Sequence, residues 1–394
     1  MVSRLLAVIA ALCALGITSA CADVIVVDHA GGGDYETIQP ALDEAAEGDT
    51  VLVEPGTYTG EGNLSLDFKG TDAVLRSTGG AAQTILQGSR VFYFLTGDAG
   101  PSTVIEGFTL TEGNHFSGGV VYCVESSPTF IDCVFSSSTG TYGGAVYLFD
   151  SDSSFTGCEF TGNTSDHGGA IQIEYFCSPS FNDCDFTSNT STGEAGAIDC
   201  IWGASPAFTN CTISGNVAGD EGGGIRCYDE SSPSLTNCDL VGNSCSRQGG
   251  GAFCDSTSSP TITDCLFQDN VATFTGGGMF CWNGSSPSVT STRFIGNTGE
   301  NGGGGVMIEQ ASPLFFSCEF INNTGDWGGG VHCYESSSTF SECVFFGNTA
   351  TAGTANGSGI VCDHSPVSIL GCTFSDNAGD AAGNGTIHCW DADP

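Results

Sequence analysis

Residues 222–243 read GGGIRCYDESSPSLTNCDLVGN, residues 249–270 read GGGAFCDSTSSPTITDCLFQDN, and residues 276–297 read GGGMFCWNGSSPSVTSTRFIGN. The three segments share their glycines, serine–proline step and asparagine, and they follow one another every 27 residues. Such a period is typical of repeat proteins, in which a unit too small to bury its own apolar side chains stacks on its neighbours. The sequence therefore predicts an elongated repeat structure.

The motif C-x-[FIL]-x-x-N extends this repeat over most of the chain, in units 25 to 29 residues apart. Its first position holds Thr292 in one unit and otherwise Cys133, Cys158, Cys184, Cys211, Cys238, Cys265, Cys318, Cys343 and Cys372. Its asparagine falls at Asn163, Asn189, Asn216, Asn243, Asn270, Asn297, Asn323, Asn348 and Asn377. Stacked asparagine amides can hydrogen-bond from one unit to the next, so we expect these nine residues to form a structural ladder.

Within a unit, short runs of alternating apolar and polar residues are separated by Gly, Ser-Pro and Asn, which is the pattern of short strands joined by turns. We therefore predict an all-β fold, a right-handed parallel β-helix of about 12 rungs with three short strands each, stacked roughly 4.8 Å apart. The rival is a leucine-rich-repeat horseshoe, because residues 235–245 (LTNCDLVGNSC) fit its template. The other half of the unit is Gly and Ser-Pro, where a horseshoe needs a further leucine, and this favours the β-helix.

The chain divides into three segments. Residues 1–22 carry one arginine, an apolar run and small residues, which predicts a secretory signal peptide; acylation of Cys21 is the lipoprotein alternative. Residues 23–106 are predicted to form irregular first rungs and a capping helix around Ile38 to Ala46. Residues 107–394 hold the regular repeats, the last of them incomplete.

The composition is strongly acidic. Seven Lys and Arg stand against 45 Asp and Glu, a formal net charge of −38. Such a surface repels phosphate backbones and anionic lipid, which excludes nucleic acid and disfavours membrane surfaces as partners. After the first segment no apolar run is long enough to span a bilayer. Neutral sugars, cations and basic protein patches remain as ligands.

The opening GDYETIQPALDEAAEGDTVLVEPGTYTG (residues 33–60) resembles the start of secreted right-handed parallel β-helix proteins of the pectate-lyase-like superfamily. The GGAI at 168–171 and the F-x-x-N motifs, such as Phe160 to Asn163, resemble the repeats of chlamydial polymorphic outer-membrane proteins. These resemblances imply a secreted or surface-displayed β-helix, with association with an outer membrane as one form of display. They imply no particular activity, because this architecture carries lyases, hydrolases, epimerases and adhesins.

A second cysteine position follows most glycine steps; Leu148, Ile173 and Ile308 occupy it in the remaining units, and Ile308 belongs to the unit after Thr292. If each motif cysteine pairs with the glycine-step cysteine of the following unit, both partners are lost together in that one place. The predicted disulfides are then Cys184–Cys200, Cys211–Cys227, Cys238–Cys254, Cys265–Cys281, Cys318–Cys333, Cys343–Cys362 and Cys372–Cys389. The alternative is a buried ladder of free thiols that act as small apolar side chains. No C-x-x-C pair is present, so no metal site is predicted.

Strand alternation after each glycine step defines two columns of side chains that point away from the core. Column 1 contains Tyr122, Tyr147, Gln172, Asp199, Arg226, Phe253, Phe280, Met307, His332, Val361 and His388. Column 2 contains Val124, Phe149, Glu174, Ile201, Tyr228, Asp255, Trp282, Glu309, Tyr334, Asp363 and Trp390. Aromatic rings beside carboxylates on one exposed sheet suit a polysaccharide, although β-favouring aromatics also pack against one another in a purely structural sheet.

The ligand-binding candidates are Tyr228, Trp282, His332, Tyr334, Asp363 and Trp390. The weaker catalytic candidates are Arg226, Asp199, Asp255 and Glu309. Arg226 is the only basic residue of the mature chain in these columns besides histidines, and Asp255 and Glu309 lie two rungs apart, near the upper limit for an inverting pair of carboxylates.

The columns predict a secreted or surface-displayed rod that binds carbohydrate or another surface, in the manner of an adhesin. The alternatives are a polysaccharide lyase or glycoside hydrolase acting on the same face, and a purely structural surface component. No cofactor is required, and Ca²⁺ is a candidate ligand in the lyase alternative. The oligomeric state is left open.

Overall fold

The computed structural model describes residues 22–351, 357–379 and 386–390. Residues 1–21, which hold nearly all of the predicted signal peptide and Cys21, lie outside the described residues. Within the described ranges the chain coils into a parallel β-solenoid, and its single helix spans Ile38–Glu44. A horseshoe of leucine-rich repeats is thereby excluded, and the predicted all-β solenoid is confirmed.

Four parallel sheets run along the solenoid, and a regular turn visits them in the order C, A, B, D. Sheet A contains Val24–Val27, Thr50–Val53, Val74–Ser77, Val104–Glu106, Thr129–Ile131, Ser154–Thr156, Ser180–Asn182, Ala207–Thr209, Ser234–Thr236, Thr261–Thr263, Ser288–Thr290, Leu314–Phe316, Thr339–Ser341 and Ser368–Leu370. Sheet B contains Gly56–Tyr58, Thr84–Gln87, Thr109–Thr111, Val134–Ser136, Glu159–Thr161, Asp185–Thr187, Thr212–Ser214, Asp239–Val241, Leu266–Gln268, Arg293–Ile295, Glu319–Ile321, Val344–Phe346 and Thr373–Ser375.

Sheet C, which carries columns 1 and 2, contains Phe92–Phe94, Val121–Val124, Val146–Phe149, Ile171–Glu174, Ile198–Ile201, Ile225–Cys227, Ala252–Cys254, Met279–Trp282, Val306–Glu309, Val331–Tyr334, Ile360–Asp363 and Ile387–Trp390. Sheet D contains Thr164–His167, Thr190–Glu194, Val217–Ala218, Ser244–Cys245, Val271–Ala272, Thr298–Gly299, Thr324–Gly325, Thr349–Ala350 and Ala378–Gly379. The thirteen strands of sheet B correspond to about thirteen turns. Sheet D supplies a fourth short strand to the three predicted for each turn.

The helix packs beside the first two strands of sheet A, Val24–Val27 and Thr50–Val53. Its residues Ile38, Ala41 and Leu42 are buried, so its apolar face covers the first turns. It corresponds to the helical stretch predicted around Ile38 to Ala46.

The interior is filled by columns of identical or similar side chains, because each strand pairs in register with its counterpart one turn away. In sheet B, the rings of Phe135, Phe160 and Phe186 are stacked with centroids 4.6 Å apart. These rings are fully buried. The core is therefore one continuous apolar column, and each turn depends on its neighbours for burial.

The asparagines of the repeat motif form a hydrogen-bonded ladder between sheets B and D. The Oδ1 atom of Asn270 accepts hydrogen bonds from the backbone N–H and the side-chain amide of Asn243, at 2.9 and 3.1 Å. Its own amide donates to the carbonyl of Leu240 at 2.8 Å and to Asn297 at 3.0 Å. The same pattern runs from Asn163 to Asn377. The ladder satisfies turn groups that are closed to water.

The nineteen cysteines of the described residues are free thiols, seventeen of them buried, so the predicted disulfides are absent. Because the turns stack in register, cysteines at the same position of the repeat lie next to one another. Cys227 of sheet C, for example, is the register partner of Cys200 and Cys254. Cys184 stacks instead beneath Cys211 at the start of sheet B. The predicted partners Cys184 and Cys200 thus belong to different columns, and the free-thiol ladder describes the structure.

Candidate functional site

Columns 1 and 2 lie on sheet C, where register pairing places Gln172, Asp199 and Arg226 on consecutive strands of column 1. The side chains of column 1 point away from the core but are not exposed as the sequence suggested. Gln172 and Asp199 are 1% exposed, and Phe253 and Phe280 are fully buried. Another layer of the protein therefore covers much of this column.

The cover is a third column, formed by the residue that precedes each glycine step. Column 3 contains Tyr142, His167, Glu194, Glu221, Gln248 and Thr275, several of which pair with one another from turn to turn. Gly222, which follows Glu221, has φ +66°, and a Cβ atom there would lie 3.0 Å from the Cβ of Arg226. A glycine with positive φ lets the chain pass this close to sheet C. Column 3 consequently faces column 1.

A cleft of about 540 Å³ opens between these columns over the turns that contain Gln172, Asp199 and Arg226. Aromatic side chains, among them Tyr147 and Phe149, form its wall toward the N-terminal end. The side chains of Gln172 and Asp199 are smaller than the aromatic side chains elsewhere in column 1, and this difference in size leaves room for the cleft. Beyond the cleft, column 1 continues with the buried side chains of Phe253, Phe280 and Met307, and the next polar residue of the column is the buried His332.

Asp199 and Arg226 form a buried ion pair in the cleft, with Nη1 of Arg226 3.3 Å from both carboxylate oxygens. The side chains are 1% and 12% exposed, respectively. Burial raises the pKa of Asp199 above its ordinary value, although the positive charge of Arg226 opposes this. The guanidinium also lies over the ring of Tyr228, 4.6 Å from its centroid, in cation–π geometry.

Glu174 is the second buried carboxyl group, 5% exposed, and accepts a 2.8 Å hydrogen bond from the hydroxyl of Tyr147. Burial raises the pKa of Glu174, which favours its protonated form. Beside it, Oε1 of Gln172 and Nε of Arg226 are buried without a hydrogen-bond partner among the described residues. Buried polar atoms of this kind are rare in folded proteins, and they leave one acceptor and one donor free for a ligand.

Column 3 adds an ion pair between His167 and Glu194, whose Nδ1 and Oε2 atoms are 2.6 Å apart. The contact raises the pKa of His167 and lowers that of Glu194 to about 2, so both shifts favour the charged forms of the pair. At the next turn, burial raises the pKa of Glu221 to about 7. Carboxyl groups whose pKa values are shifted in opposite directions are thus found in one region of the protein, as in many sites of acid–base chemistry.

Three of the residues predicted from the sequence line the cleft: Asp199, Arg226 and Tyr228. The others lie further along sheet C. Trp282 and Tyr334 pack against the buried cluster of Phe253, Phe280 and Met307.

The remaining predicted residues of column 2 are register partners on consecutive strands: Glu309 lies beside Trp282 and Tyr334, and Asp363 lies beside Tyr334 and Trp390. The rings of His332 and Trp390 both contact Trp327. Trp282 lies between Asp255 and Glu309, so those two carboxylates do not share an open site. His332 is buried, which lowers its pKa to about 4, and Asp363 contacts His364 at 2.7 Å. Trp390 packs against Trp327 with ring centroids 5.6 Å apart.

Column 3 was not identified from the sequence. The residues that lie beside the catalytic candidates Asp199 and Arg226 in the cleft were not singled out either. His167, Glu194 and Glu221 precede a Gly or Ala-Gly step, a position that is polar or aromatic in successive units. This positional recurrence was the available signal. Glu174 and Gln172 were placed in the columns but not among the candidate site residues.

Within residues 22–351, 357–379 and 386–390, no group of three or more His, Cys, Asp or Glu side chains is arranged to hold a metal ion. The described helix is also too short to cross a membrane.

The model of the family described as "Right handed beta helix region" matches residues 118–297 and 287–393. No curated protein matches the chain in sequence. Among solved structures, a mannuronic acid specific polysaccharide family 6 lyase from human gut microbiota is 12% identical, with a TM-score of 0.52; the match covers 88% of this chain and 82% of the lyase.

Two further structures are similar over comparable lengths. The GH87 α-1,3-glucanase catalytic unit of Streptomyces thermodiastaticus is 14% identical with a TM-score of 0.48, covering 90% of this chain and 67% of the glucanase. The mannuronan C-5 epimerase AlgE4 A-module of Azotobacter vinelandii is 11% identical with a TM-score of 0.43, covering 91% of this chain and 95% of the module. At such low identity the likeness is one of fold.

Proposed function

This chain belongs to the family of right-handed β-helix regions, and we propose that it binds a polysaccharide in the cleft on sheet C. The observation that carries the proposal is the cluster of buried polar groups that lines an aromatic-walled cleft of about 540 Å³. Export of the chain, expected from residues 1–22, would bring this cleft to extracellular or cell-surface polysaccharides.

A structural role alone does not account for these groups. Sheet C stacks equally well on phenylalanine, as Phe253 and Phe280 demonstrate with ring centroids 5.6 Å apart. A buried ion pair costs several kcal/mol per ion in lost hydration, which its mutual attraction offsets only in good geometry. Several buried polar groups gathered in one cleft, with Gln172 Oε1 and Arg226 Nε unpartnered, therefore favour a binding site.

The charges of the cleft favour a neutral polysaccharide over a polyuronate. Glu174, Glu194 and Asp199 line it together with two basic side chains, Arg226 and His167. Each basic side chain is already paired with a carboxylate, so neither is free to neutralise the carboxylate of a uronic acid. The net charge of −38 adds long-range repulsion of an acidic polymer.

An array of neutral and uronate oligosaccharides, followed by calorimetry with the best ligand, tests the proposal. Tyr228→Ala removes a ring from the cleft and is expected to weaken binding about tenfold. Tyr334→Ala removes the same ring from column 2 four turns away and should leave affinity unchanged. Absence of binding to every oligosaccharide, or equal effects of both variants, would contradict the proposal.

Glycoside hydrolysis at the same cleft is a second candidate function, favoured by the raised pKa of Glu174 and the lowered pKa of Glu194. Glu174 would donate a proton to the glycosidic oxygen, while the Glu194 carboxylate accepts a proton from the water that attacks the anomeric carbon. Release of reducing ends that Glu174→Gln abolishes, with binding retained, would establish hydrolysis. Binding without release of reducing ends leaves the chain a binding protein.

A further inference from the structure

A second concave surface lies next to the cleft, where the chain leaves sheet C. This aromatic ledge is a depression of about 520 Å³ lined by Phe149, Tyr175, Phe176, Trp202, Gly203, Asp229 and Glu230. Phe149 and Trp202 line both the ledge and the cleft, so the two surfaces are continuous. The ledge extends past column 2, away from column 3.

Its aromatic side chains are exposed rather than packed. Tyr175, Phe176 and Trp202 are 47%, 66% and 48% exposed. The rings are nevertheless held in place: Tyr175 stacks on Phe149 at 5.0 Å between centroids, and Phe176 meets Tyr175 edge-on at 5.5 Å. Exposed yet ordered aromatic rings are a common feature of binding surfaces.

The backbone at these positions makes the aromatic residues unusual. The turn after each sheet C strand requires a left-handed residue, and most turns place a polar one there, such as Asn283 with φ 49°. Tyr175 and Trp202 adopt φ of 66° and 56°, and Phe176 adopts 53°. This conformation is unfavourable for bulky side chains, whereas Asn and Gly tolerate it. Backbone conformation therefore gives no reason for aromatic residues at these positions.

We infer that the aromatic ledge is a second sugar-binding site for the same neutral polysaccharide, which crosses sheet C from the cleft to the ledge. The inference rests on the proposed function of the cleft. The apolar C–H faces of neutral pyranose rings stack on exposed aromatic rings, and the carboxylates of Asp229 and Glu230 accept hydrogen bonds from hydroxyl groups at the rim.

This path determines how much of the polymer is bound. A chain that spans cleft and ledge runs along the strand direction, perpendicular to the axis of the solenoid. The number of sugar units bound is then set by the width of sheet C and not by the number of repeats. A polymer lying along the solenoid would instead contact Trp282 and Tyr334 of column 2.

The test uses calorimetry with cello-, malto- or manno-oligosaccharides, whichever series the array identifies, from the disaccharide to the octasaccharide. Phe176→Gly places at this position the residue that the next turn has at Gly203, so folding is spared. We expect affinity for the longest oligosaccharides to fall about tenfold while the disaccharide is unaffected. Trp202→Asn removes a ring that lines both the ledge and the cleft. It should therefore weaken binding of the disaccharide as well as of the longest oligosaccharides.

Phe346→Ala is the matched control, because Phe346 is a 41% exposed ring on sheet B, away from the ledge. The ledge site is overturned, and the cleft is not, if Phe176→Gly binds oligosaccharides of every length with unchanged affinity. The same holds if Trp282→Ala loses as much affinity as Phe176→Gly. Binding of oligolysine in place of any oligosaccharide overturns both. If Phe176→Gly keeps its affinity for the disaccharide and loses affinity for the octasaccharide, the result supports both the cleft and the ledge as binding sites.

Discussion

The guanidinium of Arg226 contacts both carboxylate oxygens of Asp199, its register partner on the neighbouring strand of sheet C, at 3.3 Å. Removing the guanidinium by Arg226→Ala leaves the carboxylate of Asp199 buried without its counter-charge. We expect the free energy of unfolding to fall by about 3–5 kcal/mol, measured by urea denaturation.

Replacing both partners separates stability from function. The double variant Asp199→Leu with Arg226→Met fills a similar volume with apolar groups, and its free energy of unfolding should be within about 1 kcal/mol of the wild type or higher. The same variant should bind no oligosaccharide. A double variant as unstable as Arg226→Ala, or one that retains full affinity, would show that the ion pair is structural.

Asn270→Ala interrupts the asparagine ladder at a fully buried position. The backbone and side-chain N–H groups of Asn243 lose their acceptor, and the Leu240 carbonyl loses a donor. Because each buried group left unpaired costs about 1–3 kcal/mol, we expect a loss of about 3 kcal/mol or more by urea denaturation. The control Asn237→Asp changes an exposed, left-handed asparagine that is replaced by Asp264 in the next turn. It should alter stability by less than about 0.5 kcal/mol, and comparable losses in the two variants would contradict a special role of the ladder.

The thiols should differ sharply in their reactivity toward an alkylating reagent. Cys389 is exposed and Cys372 is half-buried, whereas the other seventeen cysteines of the described residues are buried. We expect Cys389 to be modified first in the native protein, then Cys372, and the rest only after unfolding, as followed by mass spectrometry. A peptide map in which Cys184 is linked to Cys200 would restore the pairing expected from the sequence.

Glu221 should make the free energy of unfolding fall as the pH rises from 4.5 to about 7. Burial raises its pKa from 4.5 to about 7, so in this interval the folded protein binds more protons than the unfolded chain. By linkage, the free energy of unfolding then decreases from pH 4.5 to about pH 7. Glu221→Gln removes this contribution, and urea denaturation at a series of pH values should show the variant gaining on the wild type across that interval. A constant difference between the two proteins would contradict the raised pKa.

The fold could be predicted because the repeat leaves little freedom. Glycine steps, serine–proline turns and asparagines that recur every 25 to 29 residues are compatible with turns stacked in register, and the asparagine ladder follows from that register. Pairing of the cysteines could not be derived in this way. The joint replacement by Thr292 and Ile308 suggested a bond between two positions that the structure assigns to separate columns.

The site was predictable only in part. Strand alternation indicates on which face of a sheet a side chain lies, but it does not indicate which other side chains cover that face. It placed Asp199, Arg226 and Tyr228 together, all of which line the cleft. It could not show that Glu194 and His167 fold over them, since this depends on the backbone conformation at the glycine step. The aromatic ledge likewise depends on left-handed turn residues, which no alternating pattern reveals.

Each turn of the solenoid pairs its strands only with those of the turns directly beside it, and the unit at 222–243 is nearly repeated at 249–270. Unequal recombination between two such gene segments would add or delete one whole turn without shifting the reading frame or the strand pairing. The distance between the cleft and the far end of the molecule is thus open to evolutionary adjustment, while the cleft and ledge, built mostly from the preceding turns, would be inherited largely unaltered.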